Sequence, residues 1–247
     1  MAHDCNEDQT EQALLHHVKT TGWFVMKVLA SDYLPGFAYT IGLWKNYNHP
    51  EIISFGLTLD MLHAIINDAG EMVKDKKALN TYVPYSDFLE KSDVQFIPVD
   101  PRSIRDYFGW AVWFNQGADF PAMQMVWNDR NNKFPWDPEY QEEFKFRQPL
   151  LDRNADFKFR EPENLCAFTT RQWMEGKPIV YVVHDEDGDW QFLTGDQMPE
   201  DIKLVCLKDL VEKDKSLNDV FNLDYGEYAE RDTVNGKWIR GECEPEE

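Results

Sequence analysis

The sequence predicts an α+β protein with mixed, largely antiparallel sheets, flanking helices and two subdomains. Short segments rich in β-branched and aromatic residues, bounded by Pro, Gly and Asn, are typical of strands. Segments with apolar residues at helical spacing lie between them. The two types follow each other irregularly, which disfavours a doubly wound parallel sheet. A hydrophobic fraction of 43% in 247 residues supports a buried core and excludes a disordered acidic chain.

The first part of the chain contains most of the clear helix signals. An amphipathic helix is predicted over residues 11–18. Thr58 is predicted to cap a second helix, and Asp100 followed by Pro101 has the pattern of a third helix start. Strands are predicted at residues 23–30, 37–44, 52–57, 94–99 and 122–127.

A polar stretch without clear periodicity, residues 152–164, predicts a linker. It separates an α+β domain at 1–151 from a smaller acidic domain at 165–247. In the second domain we predict strands at 166–170, 178–184, 190–194, 203–207 and 237–240, a helix at 207–221, and hairpin-like turns at 175–176 and 187–188.

The net charge is −20, from 45 Asp and Glu against 25 Lys and Arg. Nucleic-acid binding depends on clustered Lys and Arg, so this composition excludes a generic nucleic-acid binder. Residues 185–247 carry 19 acidic against 7 basic side chains, a net of −12. The second domain is therefore suited to a basic partner, or the charge serves solubility alone.

The N-terminal residues are polar and acidic, with no pattern of a secretory signal. No apolar run approaches the roughly 18–20 residues that a membrane helix needs. The four cysteines include no C-x-x-C pair, and their thiols are expected to be reduced. We expect a cytoplasmic protein without a membrane partner.

His49-Pro50-Glu51 is the main candidate for chemistry in the first domain. The H-x-E spacing is found in zinc deaminases, but the P-C-x-x-C ligand pair of those enzymes is absent. Two interpretations stay open: an enzyme pocket formed near Tyr39, His49 and Glu51, or a turn at a strand entry whose polar side chains bind backbone groups.

Other candidate sites are weaker. Cys166 and His184 lie in apolar runs of strands that a hairpin would place side by side, so burial is favoured over a Cys–His nucleophile. The phosphate-binding motifs and the G-x-S-x-G motif are missing. We therefore predict no catalytic residues, no metal site and no cofactor.

An acidic turn is the candidate binding site of the second domain. Its acidic spacing resembles the start of a calcium loop, but the sixth position holds a Trp instead of the required Gly. A hairpin tip fits better, and protruding acidic tips are suitable contact sites for basic partners. The predicted partner-binding residues are Asp185, Glu186, Asp187, Asp189 and Trp190.

The sequence PGFAYTIGLWKNYNHPEIISFGL at 35–57 resembles a bacterial family known only as a domain of unknown function. The resemblance continues through QMVWNDRNNKFPWD at 124–137 and RQPLL at 147–151, and it covers about residues 10–151. Asn128 stands where the family commonly has Pro, and Lys133 where it usually has Gly. No established catalytic residues come with this resemblance.

The second part is similar to a small domain of immunity proteins from bacterial polymorphic toxin systems. The similarity lies in GKPIVYVVHDEDGDWQFLTGD at 176–196 and DYGEYAERDTVNGKW at 224–238, although Asp189 interrupts the usual D-G-W core. It implies an antitoxin-like protein that neutralises a cognate toxin by direct binding. Since many toxins that attack nucleic acid are basic, an acidic partner would associate quickly with them. The alternatives are an enzyme with the Tyr39, His49 and Glu51 pocket and a general interaction module.

Overall fold

The structure is a computed structural model that describes residues 4–144, 146–153 and 156–243, with only the backbone described for residues 4–9 and 142. It divides into two compact units, residues 1–30 with 35–155, and residues 31–34 with 156–247. Each unit contains a six-stranded sheet, and helices accompany both sheets. The predicted α+β class with mixed, largely antiparallel sheets is confirmed. The domain bounds 1–151, 152–164 and 165–247 stay a prediction.

The first unit places its helices between and beside the strands of one sheet. Its elements are α1 (Asp4–Thr21), β1 (Phe24–Val28), β2 (Phe37–Ile41), α2 (Leu43–Tyr47), β3 (Glu51–Phe55), α3 (Leu59–Lys74), β4 (Pro84–Leu89), β5 (Ser92–Pro98), α4 (Ile104–Tyr107), α5 (Gly109–Asn115) and β6 (Ala122–Trp127). The strand order is β1-β2-β3-β6-β5-β4, and only the β3–β6 pair is parallel.

The central strands of this first sheet are covered on both faces. Every residue of β3 and β6 is buried. Helix α3 covers one face, since its apolar residues Leu62, Ile66 and Ala69 are buried in the core cluster of that side. The predicted cap of this helix is confirmed, because the Thr58 hydroxyl accepts a hydrogen bond from the N–H of Met61.

The opposite face of the first sheet carries aromatic side chains. Tyr39 and Phe55 pack there against Tyr107 of α4 and Phe108, which follows it. A short 3₁₀ turn leads into α4, and the Asp100 carboxylate accepts a hydrogen bond from the N–H at position 102 (2.9 Å). The predicted helix start at Asp100 and Pro101 is therefore confirmed as a capped turn.

The second unit contains the other sheet. Its elements are β7 (Cys166–Thr170), α6 (Arg171–Met174), β8 (Tyr181–His184), β9 (Trp190–Leu193), β10 (Ile202–Cys206), α7 (Leu207–Lys213), β11 (Glu227–Glu230) and β12 (Ile239–Glu242). The order is β10-β7-β9-β8-β11-β12, and only the β7–β9 pair is parallel.

Three differences from the sequence prediction have physical reasons. Gly176 follows the short helix α6 in a left-handed conformation (φ 102°), so residues 175–176 end a helix instead of turning a hairpin. The helix predicted over 207–221 ends at Lys213. A separate 3₁₀ helix follows it, and Asp214 caps that second helix. Strands β4 and β11 were not predicted, because each contains several polar residues that weaken the strand pattern.

Candidate functional site

Glu51 lies completely buried at the start of β3. Its carboxylate accepts four hydrogen bonds, from the N–H groups of Gly42 (2.8 Å), Leu43 (3.3 Å) and Trp44 (3.1 Å) and from the hydroxyl of Thr40 (2.5 Å). A carboxylate offers about four lone-pair positions. In the ionised form of Glu51 these donors therefore occupy the positions that a metal ion or a substrate would need.

The sequence around Gly42 explains this arrangement. Gly42 has φ 111°, a left-handed conformation that other residues rarely adopt, and it is the N-cap residue of α2. The first N–H groups of a helix have no partner within the helix. The Glu51 side chain supplies that partner and also holds Thr40, whose hydroxyl accepts a hydrogen bond from the N–H of Ile52 (2.8 Å). Glu51 thus ties β2, α2 and β3 together.

The three residues of the predicted first-domain pocket have separate partners. Burial raises the pKa of Glu51 to about 7, although its four hydrogen bonds lower it. His49 donates from Nδ1 to the carbonyl of Pro50 (2.8 Å), and burial lowers the pKa of its imidazole. The Tyr39 hydroxyl accepts from the N–H of Trp110 (3.1 Å), and burial raises the pKa of Tyr39 to about 12. This geometry favours a structural role over a catalytic one.

Two buried glutamines extend the first sheet through their side chains. Gln148 donates to the carbonyl of Trp127 (2.7 Å) and accepts from the N–H of Trp127 (3.2 Å). Gln124 donates to the carbonyl of Pro149 (2.8 Å) and accepts from the N–H of Leu151 (2.9 Å). Each amide matches one donor and one acceptor, as a neighbouring strand would. The segment with the Q-P-L-L pattern is thereby fixed to β6.

Asp129 organises the turn-rich loop that follows β6. Its carboxylate accepts from the N–H groups of Asn131 (2.8 Å), Lys133 (2.9 Å) and Gln141 (2.9 Å). Asp129 is buried, and these three donors compensate for its burial. Glu51, Gln124, Gln148 and Asp129 of the sequence motifs therefore all bind backbone groups of the first unit.

The predicted acidic turn of the second unit is a hairpin tip between β8 and β9. Asp185 is half-buried and closes the turn, because its carboxylate accepts from the N–H of Asp189 (2.8 Å) and from the Gln191 amide (3.1 Å). Gly188 supplies the left-handed position of the turn (φ 88°). We call the exposed side chains of Glu186, Asp187 and Asp189 the acidic tip.

Further carboxylates surround the acidic tip. The pKa of the Cys243 thiol is raised by burial and by the nearby charges of Asp185, Glu186 and Glu227. These groups create a negative potential beside the hairpin. Asp185 and Glu186 lie in the turn after β8, and Glu227 is the first residue of β11.

Trp190 lies in the interior and is not part of the exposed tip. Its ring stacks on His184 (4.0 Å between centroids, 11°), and its indole N–H donates to Glu161 (2.9 Å). Glu161 also accepts from the hydroxyl of Tyr33 (2.7 Å). The backbone N–H of Tyr33 in turn donates to Asp224 (2.7 Å). Trp190 therefore anchors the hairpin in the buried core of the second unit.

The expected burial of Cys166 and His184 is confirmed for His184 and is wrong for Cys166, and the two side chains do not form a Cys–His pair. Cys166 is exposed, His184 is buried, and β9 lies between their strands. His184 donates from Nδ1 to the carbonyl of Leu223 (2.9 Å), which fixes its tautomer. Across the described residues, no group of three His, Cys, Asp or Glu side chains is arranged to hold a metal ion.

Sequence reasoning missed the role of Arg231. Its buried guanidinium donates to the carbonyl of Ile179 (2.8 Å) and to the carboxylate of Asp214 (2.5 Å), and it stacks over Trp238 (4.2 Å). Arg231 and Trp238 belong to the segment DYGEYAERDTVNGKW at 224–238, which the second resemblance includes. That segment was therefore a signal for a structural arginine.

The second sheet has one open face. Residues paired directly across strands share a face, and successive residues alternate between faces. One set is buried on the inner strands, at Ala167, Val182, His184, Trp190, Phe192 and Ala229, and exposed only toward the edge strands. The alternate set includes the buried Thr170 and Leu193, and its other members are half-buried or exposed. We call the large apolar members among these others the outer face: Phe168, Tyr181, Val183, Leu204, Tyr228 and Ile239.

The part of the chain that the structure describes includes no helix long and apolar enough to cross a membrane. Comparison with curated proteins gave no match, and comparison with solved structures gave none either. Comparison with protein families matched residues 17–141, which contain Glu51, Gln124 and Asp129. The chain therefore belongs to the family described as a domain of unknown function, DUF4262.

Proposed function

We propose that this protein is a non-catalytic, cytoplasmic immunity protein of a bacterial toxin system, which neutralises a cognate basic toxin by direct contact. The acidic tip carries this proposal. Glu186, Asp187 and Asp189 are exposed together, while the half-buried Asp185 holds the turn that presents them. A preordered contact loop loses little conformational entropy on binding.

The charge of the second unit supports the same function. The excess of acidic residues after position 184 attracts a basic protein over distances of about one Debye length, which is roughly 8 Å at physiological salt. Such steering raises association rates more than it raises affinity. The similarity to an immunity-protein domain, at 176–196 and 224–238, agrees with this role.

The first unit gives less support to an enzyme. The four hydrogen bonds to Glu51 occupy its carboxylate, and His49 and Tyr39 each bind a backbone group elsewhere. A reaction in this region would require these contacts to break first. The proposal therefore assigns the first unit a structural role.

The test compares two triple variants of the full chain. The tip variant is Glu186→Gln, Asp187→Asn and Asp189→Asn, which keeps Asp185 because it closes the turn. The control variant is Asp68→Asn, Asp87→Asn and Glu90→Gln, which removes the same charge from exposed positions of the first unit. The binding probe is an inactive form of any basic protein that a neighbouring gene encodes.

The tip variant is expected to associate roughly tenfold more slowly than the wild type, and the control variant at nearly the wild-type rate. The difference between the two variants should shrink as salt is raised. Stopped-flow fluorescence measures both rates, and co-expression with the active toxin tests growth rescue. A wild-type protein that neither binds this probe nor rescues growth contradicts the proposal.

A further inference from the structure

We infer that the outer face of the second sheet is a docking surface for a protein surface that combines apolar and cationic side chains. The identity of that partner as a toxin rests on the proposed function. The docking surface itself rests on different residues from the acidic tip, and it is testable without the toxin.

The outer face is apolar where a solvated sheet face is usually polar. An antiparallel sheet with one packed face normally shows polar residues on the other. Here Leu204 is 60% exposed and Ile239 is 62% exposed, at the two edge strands β10 and β12. Contiguous exposed apolar surface of this kind marks an interaction site.

The strand register makes the outer face continuous. Leu204 pairs with Phe168, and Phe168 pairs with Gln191 of β9. Gln191 pairs with Val183, which pairs with Tyr228. With a strand spacing of about 4.8 Å, six strands span about 24 Å. The outward row therefore runs across the sheet, with apolar members on both sides of Gln191.

An aromatic pair lies near the middle of this surface. The rings of Tyr181 and Tyr228 stack with centroids 5.2 Å apart and an angle of 29° between them. Both side chains are half-buried, so their positions are already fixed on one side. Tyrosines held in this way are typical anchors of protein interfaces.

The charges around the outer face determine the chemistry of its partner. Among the described strand residues, the outward positions hold the acidic Glu230 but no Lys or Arg. Asp185 and the acidic tip adjoin the same sheet at the β8–β9 turn. A partner with Lys or Arg around an apolar patch matches this surface. A second copy would bring like charges together, so it is disfavoured.

The first experiment uses two synthetic decapeptides as probes, one of alternating Lys and Leu and one of alternating Lys and Ser. They carry the same charge and differ in apolar content. The outer-face variant is Leu204→Lys with Ile239→Lys, and the control variant is Leu29→Lys with Val83→Lys at exposed positions of the first unit. Both variants add the same charge to the full chain.

The wild type is expected to bind the Lys–Leu peptide roughly tenfold more tightly than the Lys–Ser peptide. The control variant should keep this ratio, and the outer-face variant should lose it. Calorimetry measures the six dissociation constants, and circular dichroism checks that both variants are folded. A wild type that does not distinguish the peptides overturns the inference, as does an outer-face variant that still distinguishes them.

The second experiment repeats the comparison with an inactive form of any basic protein that a neighbouring gene encodes. If the peptide result holds and this protein does not bind, the proposed function fails while the docking surface stands. If it binds and only the control variant weakens binding, the docking surface is overturned and the proposed function stands. Sedimentation tests the second copy: a wild-type dimer that the outer-face variant dissociates would overturn the commitment to a cationic partner.

Discussion

The two sheets of this protein differ in how their faces are covered. In the first sheet the central strands β3 and β6 are buried on both faces. In the second sheet burial alternates, and the outer face keeps apolar side chains partly exposed. The first arrangement closes a core, whereas the second leaves apolar side chains partly exposed.

This difference changes how sequence motifs are to be interpreted. A strand that is buried on both faces leaves no water for its polar side chains, so they must bind backbone groups. Glu51, Gln124 and Gln148 do so in the first unit. The polar motifs therefore indicate structure there. In the second unit the motif residues Trp190 and Arg231 are buried, so other residues form the exposed surface.

The largest expected effect tests the covered sheet. Glu51→Ala removes the partner of three backbone N–H groups and one hydroxyl, all in the interior or near it. Each unsatisfied buried group costs about 1–3 kcal/mol, so we expect a loss of about 4 kcal/mol in the free energy of unfolding. Urea denaturation measures it. The matched control is Glu71→Ala on the exposed side of α3, and equal losses in both variants would break the comparison.

The second effect is a dependence of stability on pH. The pKa of Glu51 is raised from an ordinary 4.5 to about 7 in the folded protein, chiefly by burial. The native carboxyl therefore holds its proton between these values while the unfolded chain releases it. The free energy of unfolding therefore has its full value below pH 4.5. It falls by about 3 kcal/mol in total as the pH rises through 7.

The control for this pH dependence is Glu51→Gln, which has no titrating group at this position. Its amide oxygen can accept from the N–H groups of Gly42 and Trp44. Its amide nitrogen replaces the oxygen that accepts from Thr40 and Leu43, so the variant loses stability by the same amount at every pH. Denaturation between pH 4.5 and pH 8 should show a steeper loss for the wild type than for this variant. Parallel curves would mean that the hydrogen bonds to Glu51 fully offset its desolvation, so that its pKa is unshifted.

The smallest effect tests the open sheet. Leu204→Ser on the outer face should change the free energy of unfolding by less than about 0.5 kcal/mol, because the side chain is largely exposed. Val182→Ser on the buried face should cost about 3 kcal/mol. Thermal and urea unfolding of both variants give the contrast. A large loss in Leu204→Ser would mean that the outer face belongs to a core.

Local signals in the sequence predicted most of the secondary structure. Thr58 and Asp100 were predicted as caps, and in the structure Thr58 caps α3 and Asp100 caps a 3₁₀ turn. The segment 122–127 was predicted as a strand and forms β6. The weakest predictions concerned pairing. Residues 175–176 were predicted to form a hairpin turn between β7 and β8. In the structure β7 pairs in parallel with β9, so β9 lies between β7 and β8.

The sequence by itself determined the α+β class, the capped turns and the acidity of the second part, because periodicity, capping and charge are properties of neighbouring residues. Only the tertiary structure decided that the Glu51 carboxylate meets the N–H groups at 42–44. It also decided that Leu204 and Ile239 lie on one open face, although they belong to opposite edges of the sheet. Strand order and the choice of the covered face depend on contacts between residues far apart in the chain, and no local pattern records them.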